Sequence, residues 1–288
     1  MRLGGLCTLV IAGTLSLSNA AMAAPAPHGF SPAFTCTGGT SADPNVIPGG
    51  TWASITVQGV CYVAAGTTIT VGNVYVAVGA TLDAQSASTI NVGQNITASP
   101  GSTLELGCNE TNPDPALQHM CDYGTGNSTI TVHGNVIALD AFFVSLVSDS
   151  VNGNVFLIRG GEHTPDCTNA DCAVNNWPIK LDTIGGSVIV QGVTPDWIGV
   201  LYNNIGGSVV LNNITVDTGV GADPPAENIN VGHNTIGGNL FCYGLLPDVI
   251  GGFTTVLADN GGPANVFSNG GMGYGQCKDL TLIYVPGL

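Results

Sequence analysis

Basic residues are nearly missing from this 288-residue chain. Arg2, Arg159, Lys180 and Lys278 are all there are, against 19 Asp and Glu. Four scattered cations cannot neutralise a run of phosphates, so a nucleic-acid partner is excluded. Anionic membrane surfaces are excluded on the same ground. Aromatic side chains are also few, with Trp52, Trp177 and Trp197 the only indoles, which argues against a long sugar-stacking groove. Helical patterning is missing too. Gly (42) and Pro (16) fill a fifth of the chain, and beyond the first twenty positions no window repeats apolar residues at i, i+3, i+4 and i+7. Low charge does not mean disorder here, because 44% of the residues are hydrophobic and a core is available.

The one long apolar run, Leu3 to Leu17, follows Arg2 and is followed by Ala21-Met-Ala23, the small-x-small pattern of a cleavage site. Residues 1–23 are expected to be a signal peptide. The run is short of the ~20 residues a membrane span needs, and no second run appears, so no span is expected after cleavage. The mature chain then has 3 cations against 19 carboxylates (3 − 19 = −16), an acidic protein suited to the secreted or cell-surface environment. Cys7 leaves with the leader, and eight cysteines remain. An even set in an exported chain reads as disulfides. Zinc would need Cys-x-x-Cys or a His at ligand spacing, and neither occurs. Pairing between near neighbours is expected: Cys36 with Cys61, Cys108 with Cys121, Cys167 with Cys172, and Cys242 with Cys277.

A repeat organises the rest. Asp182-Thr-Ile-Gly-Gly-Ser-Val188, Asn203-Asn-Ile-Gly-Gly-Ser-Val209 and Asn234-Thr-Ile-Gly-Gly-Asn-Leu240 align directly, and Asp149-Ser-Val-Asn-Gly-Asn-Val155 is a looser copy. The Asn or Ser before the apolar residue recurs at 73, 95, 135, 154, 187, 208 and 239, with gaps of 22, 40, 19, 33, 21 and 31. Three gaps are near twenty. The longer three carry insertions of turn composition, two of them with their own cysteine pair, which removes loop entropy that the core cannot. Short β-branched stretches follow each anchor, as in Val188-Ile-Val and Val209-Val-Leu. Twenty residues holding two or three such strands and no helix must stack in parallel on the next coil. Seven to nine coils spaced ~4.8 Å apart make a rod on the order of 40 Å long.

These heptamers resemble the Ile-Gly-Gly-[Ser/Asn]-Val turns of exported bacterial β-solenoid proteins. The expected fold is therefore all-β: a single-stranded right-handed parallel β-helix over 51–244, with a Pro/Gly-rich lead-in at 24–50 and a cap at 245–288. Right-handedness is preferred because the strict six-residue beat usual in left-handed β-helices is missing.

Equivalent positions on stacked coils become neighbours, so rows can be read for chemistry. Five positions before the anchor lie Asp149, Asp182, Asn203 and Asn234. Such a row is a turn ladder of Asx side chains, or, at Asp149 and Asp182, a carboxylate pair able to share a proton or hold Ca²⁺. Five positions after it, Asp140 and Arg159 should form a vertical ion pair. Many β-helices act on acidic polysaccharides, and a lyase or glycoside hydrolase here would use Asp149, Asp182, Arg159 and Lys180. Three mature cations argue against a lyase. Asp171-Cys-Ala-Val-Asn175 is similar to the Asp-Asp-Cys stretch of polygalacturonases, yet Ala170 replaces the first Asp and neither Gly-His-Gly nor Arg-Ile-Lys follows. No His-Glu-x-x-His or Gly-x-Ser-x-Gly occurs. The sequence thus favours an extracellular scaffold or a module binding a glycan or surface protein, without a catalytic site or resident cofactor. Asn95, Asn109, Asn127 and Asn213 begin Asn-x-[Ser/Thr] sequons.

Overall fold

A computed structural model describes residues 32–114, 117–161, 175–216, 229–251, 265–278 and 280, all within one compact unit. No α-helix occurs among them. The strands form two sheets, of 17 and nine strands, and every pairing between strands is parallel. This is the parallel β-helix that the repeat predicts. One coil shows the construction. Trp197–Leu201 belongs to the smaller sheet, and Asn204–Ile205 and Val209–Asn212 to the larger. Each pairs with its equivalent one coil earlier and one coil later, so that Val188, Val209 and Leu240 stand in register. Parallel pairing runs past both ends of 51–244: Phe34–Cys36 pairs with Ile55 to Val57, and Gly273–Gly275 pairs with Leu240 to Cys242.

Alternation within each strand fills the interior. Val136, Val155, Val188, Val209 and Leu240 stack along the axis, each at most 1% exposed. Two corners turn the chain between sheets, and both use left-handed backbone. At one, Asp140, Arg159, Gly192, Asn213 and Gly244 have φ between 51° and 66°; at the other, Ser148, Leu181, Tyr202 and His233 have φ between 56° and 63°. The bend between the two segments of the larger sheet is made differently. There the anchor row forms a ladder in which each side-chain oxygen accepts the backbone N–H of the next coil: Asn154 N–H to Asn135 Oδ1 (2.8 Å), Ser187 N–H to Asn154 Oδ1 (2.8 Å), Ser208 N–H to Ser187 Oγ (3.0 Å) and Asn239 N–H to Ser208 Oγ (3.0 Å). The preceding glycines are needed for space. A Cβ on Gly206 would stand 2.4 Å from Gly185 O, and one on Gly237 would stand 2.0 Å from Gly206 O.

Three expected disulfides are present, Cys36–Cys61, Cys108–Cys121 and Cys242–Cys277; Cys167 and Cys172 lie outside the described residues, as do the insertions after residues 161 and 216. The insertion between Leu106 and Thr129 is held by bridges from Asn109 to His119 and Asn127.

Because Gly206 touches backbone on the neighbouring coil, Gly206→Ala should cost about 1–3 kcal/mol, the usual cost of overpacking, read as a lower denaturant midpoint.

Candidate functional site

The expected Asx row exists and lies inside the protein. Asp149, Asp182, Asn203 and Asn234 are each 1–2% exposed. Asp149 N–H donates to Asp182 Oδ1, Asp182 N–H to Asn203 Oδ1 and Asn203 N–H to Asn234 Oδ1, at 2.8, 2.8 and 2.9 Å. The row extends to Asn265, whose Oδ1 accepts the Asn234 amides. In the Asn members the second side-chain atom also works: Asn203 Nδ2 donates to Ile179 O, and Asn234 Nδ2 to Val200 O. Register puts the Leu146 carbonyl at the corresponding place beneath Asp182. An Asp there offers oxygen to oxygen unless it is protonated. Both oxygens of Asp149 and Oδ2 of Asp182 find no hydrogen-bond partner among the described residues. Burial pushes both carboxyls above the ordinary range, and for Asp149 the neighbouring Asp182 adds to it. Both carboxyls are thus weaker acids than a free Asp and form one rung of a structural ladder. Its burial leaves this row no exposed face.

Arg159 lies elsewhere. It pairs with Asp140 through Nε to Oδ1 and Nη2 to Oδ2, both 2.7 Å, on the outside of the opposite corner. The guanidinium beside Asp140 holds that carboxyl below its usual range. Asp149, Asp182 and Arg159 therefore do not converge, which corrects the catalytic grouping expected from the repeat: alignment shows which residues stack, but the two rows stand at different corners. Lys180 is 8% exposed, and burial lowers its pKa.

A different group does converge, on the outer face of the smaller sheet beneath the Cys108–Cys121 insertion. Tyr62, Asp83, Glu105 and Ser145 stand in register on four successive strands. Asp83 and Glu105 are therefore about 5 Å apart by the spacing of paired strands. The insertion adds Asp122, Tyr123 and His119. Tyr123 packs against Tyr62 with ring centroids 4.2 Å apart and planes tilted by 31°, and its hydroxyl bonds Asp83. Asp122 N–H is held by Gln85 O at 2.8 Å. Gln85 Nε2 donates to Ser145 Oγ (2.9 Å) and to His119 Nε2 (3.0 Å), so that imidazole nitrogen is an acceptor. Burial, then nearby Lys180, lowers the His119 pKa. Burial pushes Asp83 up to about 6, opposed by the Gln85 amide and assisted by Asp122. Burial, with Asp83 and Asp122 beside it, pushes Glu105 up to about 8. Glu105 is thus the weaker acid of the two and Asp83 the stronger. Among the described residues no three His, Cys, Asp or Glu side chains are arranged to hold a metal ion.

The sequence carried a signal for this group. Asp83, Glu105 and Ser145 each lie ten positions after an anchor, at 73, 95 and 135, whereas the rows read above lie five positions from it. Asp122, Tyr123 and His119 belong to no row.

Compared with protein-family models, curated proteins and solved structures, the chain shows no match.

The ladder makes a pH prediction. Asp149 and Asp182 have raised folded-state values, so the native state binds more protons than the unfolded chain above about pH 4. Their contribution is greatest in acid and is lost progressively until Asp182 ionises at about 8. Asp182→Asn supplies an amide donor where register places the Leu146 carbonyl. It should flatten this dependence and raise stability at pH 9 by about 1–3 kcal/mol, measured as urea midpoints at pH 5 and 9.

Proposed function

We propose that the protein is an exported extracellular or cell-surface β-solenoid scaffold that binds a hydroxyl-rich ligand, a glycan or the glycosylated surface of a partner protein, on the smaller-sheet face around Asp83 and Glu105. One observation carries this reading. The Asn and Ser of the anchor row and the Asp and Asn of the Asx row are consumed in ladders, whereas Tyr62, Asp83 and Glu105 gather on an outer face with Asp122 and Tyr123 of the disulfide-clipped insertion. A protonated carboxyl beside an ionised one offers donor and acceptor to adjacent hydroxyls, and a tyrosine pair offers an apolar surface for a ring. Export is supported by the leader sequence and by the three disulfides, which persist in oxidising compartments. No described helix is long and apolar enough to cross a membrane.

A second reading, glycoside hydrolysis, moves from Asp149, Asp182 and Arg159 to Asp83 and Glu105. It rests on two carboxyls in register on adjacent strands, whose ~4.8 Å spacing is close to the carboxyl separation of retaining enzymes, with environments that push one to about 6 and the other to about 8.

Titration calorimetry against neutral and acidic oligosaccharides separates the two. Under the binding reading, Tyr123→Ala and Glu105→Gln each weaken binding at least about tenfold, Asp149→Asn leaves it unchanged, and no reducing ends are released. Turnover abolished by both Glu105→Gln and Asp83→Asn would establish the enzyme. A panel giving neither heat nor product defeats both.

A further inference from the structure

In the segment of the larger sheet that precedes the anchor, the outward side chains are small, polar and uncharged. Thr68 and Thr70 stand on one coil, Thr89 and Asn91 on the next, and Thr129 and Thr131 on the one after, while Ile69, Ile90 and Ile130 between them are buried in the core. Register locks these pairs together. Thr68, Thr89 and Thr129 form one column, and Thr70, Asn91 and Thr131 a second. The second column runs on in both directions: Thr51 precedes Thr70, and Ser150, Thr183, Asn204 and Thr235 follow Thr131, so eight successive coils each set one such side chain in line. Sequence spacing hides the alignment, because an insertion puts 40 residues (129 − 89) between Thr89 and Thr129. Every member of both columns is exposed or half-buried, and none spends its side chain on another described residue. The Asn and Ser of the nearby anchor row, by contrast, are taken up in a ladder.

We propose that these columns are an ice-binding face, on which hydroxyls and amides take the places of water molecules in the outermost layer of the lattice. Spacing supports this. Successive ranks lie ~4.8 Å apart along the rod, and the two columns, two residues apart on each strand, ~6.6 Å apart across it; both are close to repeats of the hexagonal ice lattice. Rigidity supports it too. A β-branched Thr is stiff at χ1, and the backbone beneath is pinned by pairing on both sides, so little freedom remains to be lost on meeting a solid. Charge is the third argument. A charged group holds its own hydration shell against a neutral crystal, and in a chain with 19 carboxylates and a net charge of −15 neither column contains one. Just beyond the second column, Gly72, Gly93, Gly185, Gly206 and Gly237 carry no side chain, which keeps the face low there. Other occupants fit this chemistry less well. A glycan is gripped by aromatic rings, and the tyrosine pair lies on the other sheet. A protein interface is enriched in Tyr, Trp, Met and Arg, and the columns have none of them. Seven intervals of ~4.8 Å give the long column a span of ~34 Å, over which many weak contacts act together. This face is separate from the one around Asp83 and Glu105, and the inference is independent of the ligand proposed there.

Nanolitre osmometry of the concentrated, disulfide-intact chain tests this, with a single ice crystal as the probe. The wild type should open a gap between the melting and freezing points of the crystal and shape it into facets. Thr70→Tyr and Thr131→Tyr, on two different coils, should each narrow that gap at least about twofold, because a ring standing above the face clashes with the lattice. Ile189→Tyr, of equal bulk on the segment after the anchor, should leave it unchanged, and unaltered circular dichroism and urea midpoints show that all three variants fold. A wild type whose crystal melts and freezes at one temperature overturns the proposal. So does a gap retained in full by either folded Thr variant, or one that Ile189→Tyr narrows as much as they do.

Discussion

Everything in this protein depends on stacking each coil on its neighbour in fixed register. A parallel sheet fixes side-chain facing but leaves the corners free to drift, and at the corners the chain spends its polar residues. Two ladders bind consecutive coils there. In the anchor row the side-chain oxygen accepts from the later coil, as Asn154 Oδ1 does from Ser187 N–H. In the Asx row it accepts from the earlier coil, as Asn203 Oδ1 does from Asp182 N–H. A slip of one residue would break both ladders and turn the Val188–Val209–Leu240 column outward, so register is specified twice.

Fold and site were legible to different depths for a physical reason. Periodicity is a property of sequence, and Ile-Gly-Gly-Ser-Val leaves its mark wherever backbones must touch, as Gly206 touches Gly185. Neighbours separated by one period could therefore be read directly, and the Asp140–Arg159 pair and the Asp149–Asp182 contact both lie where the rows put them. Facing could not be read so easily. Nothing in the residues 149 and 182 themselves says that a left-handed residue before each, Ser148 and Leu181, turns the carboxyl inward. Still less does spacing show that Tyr123 on an insertion returns to pack against Tyr62. Insertions break the period, and what they bring to the rod is visible only in three dimensions.

The same separation of roles runs through the electrostatics. Carboxyls within the ladder are made weaker acids by enclosure, the pair at the Arg159 corner is kept ionised by its partner, and those on the smaller sheet lie between, with burial only partial and values of about 6 and 8 straddling neutrality. Of these three groups of carboxyls, only the last combines partial burial with values on either side of neutrality.

The opposed directions of the two ladders bear on how such a chain can change over generations. Every coil presents one acceptor upward and one downward and uses the matching amides in return, so coils are interchangeable parts. Removing or duplicating a unit of 19 to 22 residues leaves cut ends whose bonds rejoin. The length of the rod is then a quantity that whole-coil gain or loss can adjust, independently of the face that any single coil carries.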